Sequence, residues 1–470
     1  MRWLPESGEG ESLNKKVQEQ PSFYRRMIGL VLPMAAQNLL NALLSASDAL
    51  MLGLLDQSSL SAVSLAAQVQ FVFSLVMDAV IIGTTILAAQ YWGKGDTRAV
   101  EKIQANTLRI SCMVGACFCL AALTVPHLLM RLFTPDEELI GLGASYLRIV
   151  SVSYLLGGFS QIVLCVMKNT GRTLLSTVYG ASSVVLNAVL NVLLIFGLLG
   201  FPRLGIRGAA IATSIARFTE VLLVLYENRR FKEVQLRLPD VLHGDRELFR
   251  QFRRHTAPVL ANELSWGLGV TMFAVIMGHL GSDAVAANAI GQIVKNIAAC
   301  FCNGLGVGAG IMIGNLLGAG KLEQAKQEGG RLVRVSAVSG IISGLILLIC
   351  SPLVMRFAGH LSEAAQGYLR FMLYVCCYYM VGKSVNGTVI AGIFCAGGDT
   401  RFGFLCDTVN MWCVIVPLGL LAAFVFKWSV PVVYFLLNLD EFTKMPAEWV
   451  HYKKYRWVRN LTAERGADEI

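Results

Sequence analysis

From residue 27 onward the chain alternates long apolar runs with short polar turns. Twelve runs are legible, at about 27–52, 62–89, 105–126, 139–167, 174–200 and 206–228, then 255–279, 284–313, 332–355, 365–395, 402–426 and 429–440. All but the last reach the ~20 residues that carry a helix across a ~30 Å hydrocarbon core. The last is short, contains Pro431 and runs into Asp440 and Glu441. The most charged internal stretch, 229–254, separates six runs from six. The pattern predicts an all-α integral membrane protein with an arm at 1–24, a first lobe at 25–228, a connector at 229–254, a second lobe at 255–440 and a tail at 441–470. The arm lacks the apolar core of a cleavable signal peptide. The tail is basic and aromatic, and reads as an amphipathic helix at the lipid headgroups.

The two halves repeat. Pro33 and Pro258 stand 225 positions apart, as do Gly53 and Gly278, and Gly93 and Gly318. Six crossings per half is an even number, so both halves enter the membrane with the same polarity. They are therefore expected to be two six-helix lobes related by a parallel pseudo-twofold, a plan used by some secondary transporters.

Composition agrees. Only 15% of the 470 residues are charged and mean hydropathy is +0.58, against about 25% charged in soluble domains. The net charge of +9 points to basic inside loops rather than nucleic acid. Lys94, Arg98, Lys102, Arg229, Arg230, Lys321 and Lys326 fall in one set of loops, together with both termini, so the positive-inside rule makes that side cytoplasmic. The twelve cysteines lie almost wholly within apolar runs and read as free thiols. The six histidines are scattered and form no metal cluster.

Charged groups inside apolar runs are costly and mark function by default. Asp48 lies ~33 Å along its helix from Arg26. Asn187 and Asn191 are one turn apart, share a face, and stand at a height where they can meet Asp48. In the second half Glu263 lies ~13 Å past Arg254, and Lys295 and Lys383 sit far from either end of their runs. One carboxylate cannot pair with two amines at once. Glu263 therefore either holds a static ion pair with one lysine, or exchanges partners, or takes H+ or Na+, as the lobes switch. Gln68, Gln292, Asn303 and Asn386 are placed on a central cavity with the two lysines. Trp266 and Tyr378 are placed there as surfaces for a flat or cationic ligand. Asp78, Arg217 and Glu220, also inside spans of the first half, read as structural, the last two, three apart, as a pair.

The ensemble resembles the multidrug and toxic compound extrusion (MATE) family, in its bacterial form. The resemblance covers about 25–440. It is carried by Pro33 and Ser47-Asp48-Ala49-Leu50-Met51-Leu52-Gly53, by the Gly93/Gly95 and Gly318/Gly320 turns, by Asn169-Thr170-Gly171-Arg172-Thr173, by Asn187 with Asn191, by Pro258 with Glu263, and by Ala396-Gly397-Gly398-Asp399-Thr400-Arg401. It implies that Asp48, Asn187, Asn191 and Glu263 belong to cation-coupling sites. Here Asn191 stands where the family carries an acid. It also implies antiport of organic, often cationic, compounds against H+ or Na+ by alternating access in a cell (inner) membrane, both termini cytoplasmic. The expected partners are a small organic substrate, the coupling cation and the bilayer, with no nucleic acid and a monomeric state. No cofactor, metal or enzymatic chemistry is expected, and no GxxxxGK[ST] phosphate loop occurs. A flippase for lipids or lipid-linked oligosaccharides, from the same superfamily, is the alternative.

Overall fold

The computed structural model describes residues 23–463, which are almost entirely helical, with no strand among them. The first half comprises α1 (Phe23–Gly53), α2 (Gln57–Lys94), α3 (Thr97–Thr124), the short α4 (Pro126–Arg131), α5 (Glu137–Asn169), α6 (Thr173–Phe196) and α7 (Ile206–Arg230). The connector contributes α8 (Leu238–His243). The second half comprises α9 (Arg246–His279), α10 (Ser282–Gly318), α11 (Leu322–Phe357), α12 (Glu363–Asn386, running on as π-helix through Gly387–Phe394) and α13 (Thr400–Val425). The last crossing is broken into α14 (Val430–Leu437), α15 (Asp440–Thr443) and α16 (Met445–Lys453). Ten of these helices are both long and apolar enough to cross a membrane; α12 and α14–α16 supply the other two crossings.

The helix ends have local causes. Asp56, Asp96, Asp136 and Asp245 each cap a following helix by accepting from its first amides. Gly95 and Gly197 close α2 and α6 at φ +83 and +73, a conformation that only glycine adopts without strain. Two helices start well before their apolar runs, α9 at Arg246 rather than 255 and α11 at Leu322 rather than 332. Their first turns are charged and lie outside the hydrocarbon, so hydropathy does not register them. The predicted run 429–440 is likewise too short. The chain goes on past the break at Asn438 and Leu439 to Lys453.

The pseudo-twofold is visible as reciprocal contacts between α2 and α10. A Cβ on Gly93 would strike the Asn315 backbone, and one on Gly318 would strike the Gln90 backbone. Gln90 and Asn315 are themselves 225 apart, so each lobe presents the same two groups to the other, as at a twofold interface. One layer up, Gly308 abuts Val31 and its counterpart Gly83 abuts Thr256, again in 225 register. Gly304 lies against Ala35, and Gly306 and Gly310 lie against Gly387 and Gly392 of the π-helical turn. Small residues let these backbones approach closely, the usual way helices associate where no water drives them together.

These contacts all lie toward one end of the bundle. That end also carries the connector, tied to α3 by Arg98–Asp240 at 2.6 Å and Lys102–Asp245 at 3.0 Å. Toward the opposite face the first half of α2 and the upper parts of α9 and α10 are only partly covered. The lobes are thus closed at the connector face and parted at the other. Residues 1–22, including most of the expected arm, lie outside the described residues.

Part of the tail packs into the protein. Residues 441–453 complete the last crossing, and the chain then turns back into the protein. Trp457 is 0% exposed, and Tyr452 and Thr462 are buried. The Tyr452 and Trp457 side chains pack beside Gly329 and the Trp457 backbone beside Gly397, while Trp449, Val450 and Tyr455 stay exposed.

Candidate functional site

In the first lobe the three predicted groups meet. The Asn191 amide donates to Asp48 Oδ1 at 2.7 Å and to Asn187 Oδ1 at 3.2 Å, and Asn187 Nδ2 donates to Thr213 Oγ1 at 3.2 Å. Asp48 lies in the upper part of α1 and the two asparagines one turn apart on α6. The carboxylate is held by a neutral amide, so no fixed positive charge competes with a cation for it.

A cavity of about 660 Å³ opens between the lobes. The first lobe contributes Phe71, Asp78 and Ile82 from α2; the second supplies the other walls. Of the residues expected on a central cavity, Lys295, Lys383, Asn386, Gln292, Asn303 and Trp266 line it, and so does Glu263. Gln68 does not: it sits on an exposed stretch of α2, away from the cavity. Nor does Tyr378, whose hydroxyl donates to the Asn438 carbonyl at 3.3 Å while its ring packs on Phe435 and Phe442. Its neighbour Tyr379 takes the lining position. Successive helical residues point about 100° apart, so a shift of one residue changes the face presented. Arg217 and Glu220 form the expected pair at 3.0 Å.

The larger correction concerns charge. Glu263 is not the lone deep acid of the second half. Asp407 of α13 and Asp440 and Glu441 at the break in the last crossing also line the cavity, as do Asp399 and Lys444. Lys444 bridges Asp407 at 2.9 Å and Glu441 at 3.0 Å, and Lys383 approaches Glu441 at 3.7 Å. Glu441 also accepts from Asn386 at 2.8 Å and from the Tyr379 hydroxyl at 3.2 Å. Asn262, one residue before Glu263, donates to Asp407 at 3.1 Å. Lys295 donates to Asn438 Oδ1 at 3.1 Å and lies 4.2 Å over the Tyr379 ring. Both lysines thus find partners other than Glu263. Among the described residues Glu263 and Asp78 have no hydrogen-bond or ion-pair partner within 4 Å, and they line the cavity from opposite lobes. The signal for the missed acids was present at Asp440–Glu441. In hydropathy that pair reads as the end of a span, whereas it is an interruption inside one. Discontinuous membrane helices recur at transporter binding sites because they free polar backbone beside the cavity.

No group of three or more metal-ligating side chains occurs among the described residues. The cavity offers instead a mixture of acids, amines, carboxamides and the faces of Trp266, Phe273 and Tyr379, suited to reversible binding of organic ions.

Known proteins share this architecture along its length. The chain is 24% identical over 461 residues to a probable multidrug resistance protein NorM of Thermotoga maritima, covering 95% of this chain and 96% of that protein. It is 25% identical over 437 residues to a multidrug resistance protein NorM of Burkholderia vietnamiensis, covering 88% and 90%. Among solved structures, a MOP superfamily transporter from Pyrococcus furiosus superposes with a TM-score of 0.85 at 16% identity, covering 92% of this chain and 96% of that one. An outward-facing MATE family multidrug resistance transporter gives 0.84 at 17% identity, with the same coverage. The MatE family model matches residues 33–193 and 259–421, one block in each lobe. A chain built as two such blocks in parallel repeat, around a polar cavity, belongs to the MatE family, the multidrug and toxic compound extrusion transporters.

Proposed function

We propose that this protein exports organic compounds, cationic ones among them, by alternating access driven by re-entry of H+ or Na+. The observation that carries the reading is the cavity between the lobes, with Glu263 and Asp78 facing into it unpartnered. An organic cation entering it meets two acids, aromatic faces and carboxamides. The relatives named as multidrug resistance proteins, alike along nearly the whole chain, support the same substrate class.

Asp48 and Glu263, one in each lobe, are the coupling acids in this reading. A carboxylate held in a membrane interior is stable only when neutralised. Substrate, proton or Na+ can do this by turns, so that loading one displaces another. Asn191 and Asn187 orient Asp48. A cation moving down 100 mV supplies ~2.3 kcal/mol, whereas exchange of one H+ for one monovalent organic cation is electrically neutral and draws on the pH gradient alone. The basic connector face is cytoplasmic by the positive-inside rule. The closed connector face then makes this the outward-open state.

Cells expressing the chain are expected to accumulate less ethidium than cells without it. Glu263→Gln and Asp48→Asn should each abolish most of that difference while leaving the protein in the membrane. Wild-type efflux in both variants would remove the assignment. The amines Lys295, Lys383 and Lys444 in the cavity favour one second reading, a flippase for phosphate-bearing lipids. Unchanged ethidium accumulation together with translocation of a fluorescent anionic lipid in liposomes would establish it instead.

A further inference from the structure

The chain after the last crossing does something the pseudo-twofold does not require. Trp457 anchors it to the second lobe. Its ring packs beside Gly329 of α11, its Nε1 donates to the Tyr452 carbonyl at 3.3 Å, and its carbonyl lies where a Cβ on Gly397 would be. The following residues reach across to α2 of the first lobe. The Leu461 amide donates to Gln90 Oε1 at 2.7 Å. Gln90 Nε2 donates to the Arg459 carbonyl at 3.2 Å and to the Ala396 carbonyl, on the second lobe, at 2.7 Å. Lys94 Nζ donates to the Thr462 carbonyl at 2.9 Å. The Leu461 side chain packs beside Ala79 and Ile86 of α2 and Val259 of α9.

Symmetry shows what is special here. Gln90 and Asn315 are equivalent in the repeat and face each other's glycines across the same crossing. Gln90 is 0% exposed, and both its side-chain polar atoms are bonded across the lobe boundary. Asn315 Oδ1 has no partner among the described residues. A symmetric crossing has been made asymmetric by one added segment that serves only the Gln90 copy.

We propose that residues 459–462 are a latch, closed by Gln90 and Lys94, that holds the transporter shut at the connector face. The proposal rests on the alternating-access reading above. To open that face, the ends of α2 and α10 must part. The segment travels with the second lobe because Trp457 is buried there. All four hydrogen bonds to Gln90 and Lys94 must then break, and the buried amide of Gln90 must find other partners. Contacts made in one state alone bias the equilibrium by their differential free energy, so the latch favours the state seen here. It sets how readily the empty transporter returns to collect substrate.

Spin labels on Leu174→Cys and Glu323→Cys, placed in a cysteine-free background of the full chain that retains ethidium efflux, bracket the connector face from the two lobes. Both native residues are exposed. In nanodiscs the wild type is expected to show a dominant short distance and a minor longer one. Gln90→Glu is nearly isosteric but turns two donor contacts into contacts between a carboxylate and carbonyls. Deletion of every residue after Val458 removes the latch and leaves Trp457 in place. Each should raise the ratio of long to short distances about tenfold, the effect of losing two or so net hydrogen bonds. Arg456→Ala, at an exposed position of the same segment, should not. If the wild type exchanges and both latch variants match it, the latch is wrong. A wild type that keeps one distance at every pH and with ethidium present overturns alternating access, and the latch with it.

Discussion

Lys444 shows how much one side chain can carry. It is 12% exposed and bridges two acids, Asp407 and Glu441, which belong to different crossings. Replacing it by Met leaves two carboxylates beside each other with Lys383 as the nearest remaining amine. Breaking a buried pair from one side costs about 3–5 kcal/mol. Lys444→Met is thus expected to lower the apparent melting temperature in detergent sharply, and Lys444→Met with Asp407→Asn should recover part of the loss. Equal melting of the single and double variants would count against the bridge. Asp56 acts at the surface. The Ser59 hydroxyl and then the Ser59 amide, donating to it at 2.7 and 2.6 Å, hold its carboxyl below the ordinary value. A depressed acid stabilises the folded chain above its unfolded pKa and loses that contribution as pH falls through the folded one. Asp56→Ala is expected to cost about 1 kcal/mol near neutral pH, as lost helix caps do. The gap to the wild type should shrink below about pH 3.9. Thermal melts at both pH values check the sign.

At the scale of elements, α10 is the helix on which the others turn. Its glycines serve three partners in succession: Gly304 and Gly308 meet α1, Gly306 and Gly310 meet the π-helical end of α12, and Gly314 and Gly318 meet α2. The last contact is the one the proposed alternating access would break and remake. Gly318→Val puts a branched side chain against the Gln90 backbone, where nothing flexible can yield. It should disfavour closure at the connector face more than it disfavours folding, and so lengthen the same label-to-label distance while the protein stays monodisperse. Gly367, with nothing near its absent side chain, is the matched control and should tolerate the same change. The broken last crossing is the counterpart of α7, an unbroken helix in the first lobe. The repeat has thus diverged at the one crossing that brings Asp440, Glu441 and Lys444 to the cavity.

For the whole molecule, the two lobes are alike in topology and unlike in charge. The first holds Asp48 with two asparagines and sends one acid, Asp78, to the cavity. The second holds a network of acids and amines around most of the cavity. In the proposed mechanism the repeat supplies the rocking geometry and the divergence supplies the chemistry. Export driven by a cation should collapse when its gradient is removed. Ethidium efflux is expected to stop on adding a protonophore if H+ is the driver, or on replacing Na+ by choline if Na+ is. Efflux that survives both treatments together would eliminate ion coupling.

The amino-acid order alone determined that the chain is helical, crosses a membrane twelve times and repeats at an offset of 225, because hydropathy and glycine and proline punctuation are local properties. It also placed Asp48 level with Asn187 and Asn191, since rise per residue is constant along straight helices. Folding decided the rest. Whether Lys383 meets Glu263 or Glu441 depends on which crossings are neighbours and how they are rotated, and Gln68 and Tyr378 were misplaced for want of that rotation. Asp440 and Glu441 read as the end of a span because a break within a helix and the end of one look the same in hydropathy. The tail's basic and aromatic residues suit a lipid surface as well as they suit the groove beside Gly329 and Gly397. Only the packed lobes provide that groove, and with it a better place for Trp457 than the headgroups.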